Sequence, residues 1–133
     1  MAELTIRELE LAQEKINLDD KLEQVLSKVR LLGVVISDID YIRNYLLCYP
    51  DIIDLILPIC RHVKKEFPSP AQVLLEVYRD PEIDDKYISI EICQKEYDEN
   101  VMKQIEQIEA EHQEELIGKS GWIIVTTNFR QLR

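Results

Sequence analysis

Glycine and proline are scarce, 3 and 5 in 133 residues. Together with 46% hydrophobic residues, that excludes a collagen-like repeat and a disordered low-complexity chain. Cysteine occurs three times, an odd number with no close pairing, and no Asn-x-Ser/Thr acceptor is present. A secreted disulfide scaffold is therefore not expected, and reduced thiols in a cytosol are. No apolar run approaches the roughly 18 residues of a membrane span, and Met1-Ala2-Glu3-Leu4 lacks the basic and apolar parts of a leader. Basic residues are outnumbered, 16 Lys and Arg against 26 Asp and Glu, for a formal charge of −10. Such a surface repels both nucleic-acid phosphate and anionic lipid, so neither is expected as a partner. The expectation is one soluble cytoplasmic domain over residues 1–133, with a helical part at 1–67 and a β-β-α-β part at 71–129.

Thr5 and Glu8 make a capping box, and no glycine or proline intervenes before Gly33, so residues 5–32 read as helix. Leu4, Leu11, Leu18, Val25 and Leu32 recur every seven residues with Leu22 and Val29 between them, a zipper-like seam. Ile6, Leu9 and Ile16 fall on another face. Asn17, Asp19 and Asp20 predict a break near 17–20, with Asp20 and Glu23 capping a second helix. A further helix opens at Ser37 with Asp38 and Asp40 and stops at Tyr49-Pro50. The next carries Ile52, Ile56, Ile59, Val63 and Phe67 on one stripe, with Pro58 as a kink.

After Pro68-Ser69-Pro70 the hydrophobic period changes from 3.6 to 2. Val73, Leu75 and Val77 alternate with Leu74, Glu76 and Tyr78, and Ile88, Ile90 and Ile92 alternate with Tyr87, Ser89 and Glu91. These two runs predict an antiparallel hairpin with Val73, Leu75, Val77, Ile88, Ile90 and Ile92 inward. Asp98 to Ile117 is an amphipathic helix with Val101, Ile105, Ile108, His112 and Leu116 on its stripe, ended by Gly118. Trp122 to Thr127 is a third strand, before a tail with Arg130 and Arg133. The fold class is α+β: N-terminal helices, then a β-β-α-β unit with a three-stranded sheet in the order 2-1-3.

The stretch Tyr49-Pro50-Asp51-Ile52-Ile53-Asp54-Leu55, followed by Leu74-Leu75-Glu76-Val77-Tyr78-Arg79-Asp80-Pro81-Glu82-Ile83-Asp84-Asp85, resembles small uncharacterised bacterial proteins with a similar Pro-Asp helix and Asp-Pro-Glu hairpin region. The resemblance covers about the middle third of the chain. It implies a bacterial cytosolic origin and no particular activity.

Asp80, Glu82, Asp84 and Glu91 stand at positions 1, 3, 5 and 12 of a calcium-loop register. However, Asp85 occupies the position that needs glycine, and the flanks alternate like strands, so a charged hairpin turn is expected and no tight metal site. Gly118-Lys119-Ser120 looks like the end of a phosphate loop, but Gln113 replaces its first glycine and the segment runs from helix to strand, the wrong way round. A glycine helix stop is expected instead. Cys48, Cys60, His62, Cys93 and His112 supply no Cys-x-x-Cys or His-x-x-x-His pair, so zinc is not expected and the cysteines read as small core fillers. His112, on an apolar stripe, reads as a satisfied core or sheet-edge histidine. His62, with Arg61, Lys64 and Lys65, suits the negative end of its helix. The chain has no Gly-x-Ser-x-Gly turn and no glycine-rich loop, so no catalytic residue and no cofactor are assigned.

Tyr41, Tyr45 and Tyr49 stand at i, i+4 and i+8 beside the face of Ile39, Ile42 and Leu46. With the seam of Leu18, Leu22, Val25, Val29 and Leu32, this exceeds what a small sheet covers: a purely intramolecular helical layer is one reading, and a homodimer or protein interface is the one expected here. Three functions follow in order. The first is a non-enzymatic protein-protein interaction or regulatory module that self-associates through its N-terminal helices. The second is an acidic neutralising or adaptor subunit of a two-component bacterial system. The third is a small enzyme with a site near His112 and the 80–85 acidic turn.

Overall fold

The computed structural model describes residues 5–79, 82 and 85–128. In chain order the elements are α1 (Ile6–Leu31), β1 (Val35–Ile36), α2 (Ile39–Cys48), a 3-10 turn (Pro50–Ile52), α3 (Ile53–Glu66), β2 (Gln72–Arg79), β3 (Lys86–Cys93), α4 (Val101–Leu116) and β4 (Ile123–Asn128). The class is α+β, but the sheet has four strands in the order β1-β2-β3-β4, which corrects the expected three-stranded 2-1-3 arrangement.

Two causes account for the difference. The added strand, β1, is only two residues long, too short to carry an alternation, and pairs in parallel with Leu74 and Leu75 of a strand distant in sequence. The last strand lies beside β3 rather than beside β2. α4 runs back along the sheet and delivers Ile123 opposite Ile88, so β3 and β4 are adjacent and parallel. The hairpin itself has the expected form, with Val73 opposite Ile92 and Val77 opposite Ile88. Val73, Leu75, Ile88, Ile90 and Ile92 are wholly buried, and Val77 packs at the edge of the same core.

α1 is one continuous helix, so the break expected near 17–20 is absent. Asn and Asp are modest helix formers but not breakers, and only Gly or Pro would remove the hydrogen bond or the backbone order needed there. Asn17 accepts a side-chain bond from Gln13 one turn earlier, at 3.0 Å, and Glu23 is held by Arg43 of α2 instead of capping. The Thr5–Glu8 capping box forms as read, each side chain meeting the other's backbone N–H at 3.1 and 3.2 Å.

The C-terminal half of α1 buries Leu22, Leu26 and Val29 against α3. α3 is the central helix and buries Ile53, Leu55, Ile56, Ile59, Cys60 and Val63. It also touches α4, which places both helices in one layer. At the junction of α2 and α3, Asp51 closes the fold. Its Oδ2 accepts the Ser120 N–H at 2.6 Å and the Ser120 hydroxyl at 2.9 Å, and its Oδ1 accepts the Gly121 N–H at 3.4 Å. Gly121 must be glycine here, because a Cβ would sit 2.8 Å from Ile52 Cδ1 and 2.9 Å from Tyr49 Cβ. Gly118, at φ 84, stops α4 as expected.

Candidate functional site

The residues expected at an interface divide into three groups. Leu22, Val29 and Tyr45 lie in the chain's own core, at 2%, 0% and 6% exposure. Leu18, Val25 and Leu32 are half-buried against that core. Tyr41 and Tyr49 are partly exposed; the Arg79 guanidinium sits 4.2 Å above the Tyr41 ring, and the Tyr49 ring packs 4.8 Å from Tyr45. Tyr45 is an anchor: its hydroxyl donates to the Lys86 carbonyl and accepts the Trp122 N–H, bridging the starts of β3 and β4. Burial pushes that phenol's pKa up, against the smaller lowering by the Trp122 bond.

Uncovered apolar surface lies elsewhere on α1. Residues 6–17 are all exposed, a helical arm of about 18 Å at 1.5 Å per residue. Ile6, Leu9, Leu11 and Ile16 are at least half exposed. Ile6, Leu9 and Ile16 share one stripe at 3.6-residue periodicity, facing away from the line of Leu22, Leu26 and Val29 that packs on α3. The arm is near charge balance, with Arg7 and Lys15 against Glu8, Glu10 and Glu14, whereas the chain as a whole carries −10.

The acidic candidates do not assemble within the described residues. Asp80 and Asp84 lie outside them. Glu82 is exposed, and Glu91, half-buried on β3, accepts from Asn128 Nδ2 at 2.9 Å. Among the described residues a hollow is lined by Ser37, Asp38, Tyr41, Glu76, Val77 and Arg79, and His112 is not one of them. Of the cysteines, Cys60 and Cys93 are buried as expected, and burial raises the Cys60 thiol to about 12. Cys48, at the exposed end of α2, is no core filler.

His112 differs most from its expected role. Its Nε2 lies 3.2 Å from Nδ1 of His62, the rings meeting edge to face. Glu111 Oε2 lies 3.4 Å from the same His62 nitrogen. His112 Nδ1 is buried without a hydrogen-bond partner, so this histidine is only half satisfied. The pair is separated by 50 positions, so no local spacing signals it. The one clue in the sequence is that both sit on helices whose apolar stripes must meet in the same layer.

No family model, no curated protein and no solved structure matches this chain. Its class rests on fold and surface: a four-stranded α+β protein with a protruding, partly apolar helical arm. None of its described helices is long and apolar enough to cross a membrane.

Proposed function

We propose that this chain is a non-enzymatic protein-protein interaction module of the cytoplasm that self-associates through the arm of α1. The observation that carries the reading is the arm itself, residues 6–17, exposed on every side with Ile6 at 77% and Ile16 at 54%. The arm extends a helix whose packed half already supplies the nucleus, so what residues 6–17 lack is the tertiary packing from which most helical stability in proteins comes. Burying the Ile6, Leu9 and Ile16 stripe against the same stripe of a second copy removes apolar surface from water on both chains. The near-neutral charge of the arm favours a copy of the same chain, since mutual repulsion of the −10 molecules is least there.

Sedimentation of the wild type at micromolar concentration should give twice the chain mass of 15.7 kDa. Replacing Ile6, Leu9 and Ile16 together with Glu should return the monomer mass, while near-UV dichroism and the denaturation midpoint stay close to wild type. A monomeric wild type, or a triple variant that remains dimeric, would overturn the reading.

A further inference from the structure

We propose that His62, Glu111 and His112 form a binding site for one divalent transition-metal ion, of which zinc is the best fit. The site is on α3 and α4, away from the arm of α1, and does not depend on self-association. The three donor atoms are His62 Nδ1, His112 Nε2 and Glu111 Oε2. One ligand atom from each of the three residues lies within 4.8 Å of those from the other two. Ligands about 2.0–2.1 Å from a tetrahedral ion must be about 3.3 Å apart. The two imidazole nitrogens are 3.2 Å apart and the His62 to Glu111 contact is 3.4 Å. Two edges of the donor triangle thus already have the required length. The third closes by rotating Glu111, whose side chain is 68% exposed and free to turn.

Two imidazoles and one carboxylate suit zinc or cobalt, whereas calcium and magnesium take oxygen ligands almost alone. Three protein donors leave one tetrahedral position for water. His62 is mostly buried, at 18% side-chain exposure, so two of the donors are held in place by packing between helices rather than by a mobile surface loop.

The alternative is a hydrogen-bonded histidine pair that shares one proton and binds nothing. That arrangement leaves His112 Nδ1 unpartnered whichever ring donates. Metal at Nε2 would put the proton on Nδ1, where no acceptor waits. The outer hydrogen bond that normally strengthens a ligand histidine is therefore missing, which costs about 10–100-fold in affinity. Binding on the order of micromolar is expected. An ion held there would clip α3 to α4 across 50 positions of sequence and stabilise the folded state alone.

The chain contains two histidines, so its imidazole NMR spectrum reports the site directly in the full-length wild type. Titration with zinc should move both sets of ring signals together, saturating at one equivalent, and cobalt should give ligand-field absorption in the visible. Glu111→Gln, at an exposed position, should weaken binding severalfold by replacing a ligating carboxylate with a neutral amide, and His62→Gln should abolish it with the fold retained by circular dichroism. If neither ring responds at millimolar zinc, or only one does, the site is refuted. Unchanged affinity in Glu111→Gln would equally refute the three-donor arrangement, even were His62→Gln too unstable to purify.

Discussion

Asp51 acts at the scale of a single residue but joins segments far apart in sequence. The hydrogen bond from the Ser120 N–H, helped by the Ser120 hydroxyl and the Gly121 N–H, holds its carboxyl below the ordinary value of 3.8. Folding therefore favours the ionised form. Its stabilisation is fully present above the ordinary carboxylate value and is lost as pH falls through the lowered one. Asp51→Asn removes this titration, so its denaturation midpoint should fall less steeply with acidification than that of the wild type, with a lower midpoint at neutral pH. Parallel acid limbs in urea melts over a pH series would contradict the assignment. The contact was half legible: Pro50-Asp51 reads as a helix start, and Gly118-Lys119-Ser120 as a loop, but nothing local says that one binds the other. His62 and His112 pose the same difficulty, since each looks ordinary until the helices are packed.

At the scale of the element, α1 is two structures in one helix. Its C-terminal half is core and its N-terminal half is arm, and the hydrophobic pattern alone does not separate them. The heptad at Leu18, Leu22, Val25, Val29 and Leu32 looks like a zipper, yet its most buried members pack on α3 of the same chain, joined by Leu26 at 1% exposure. Leu26→Ala should cost about 2–5 kcal/mol through lost burial and the cavity left behind. It should do so without changing the association state, as chemical denaturation and sedimentation together would establish. Arg43 reinforces this half, gripping Glu23 with Nε and Nη2 at 2.6 and 3.1 Å. The Arg43 bond is the main cause lowering the Glu23 carboxyl. The bridge is exposed, so it guides the angle between α1 and α2 more than it stabilises them.

For the whole molecule, the division of labour between arm and core predicts the result of a truncation. Removing the first 17 residues takes away only exposed helix among those described, so the remainder should keep its sheet and its cooperative melt while sedimenting as a monomer. Loss of the melt would mean that the arm also supports the core. Local pattern was enough for the elements that declare themselves by period: the alternation of β2 and β3, the inward face of their hairpin, the amphipathic stripe of α4, the capping box at Thr5 and the stops at Pro50 and Gly118. These follow from neighbours three, four or two residues away. Long-range packing set the four-strand order, the capture of β1 by β2, the intramolecular burial of Leu22 and Val29, and the meeting of His62 with His112. Each of those depends on which surfaces dock. A 3.6-residue stripe specifies that a face is buried but not against which partner, and a two-residue strand owes its existence to the edge it pairs with.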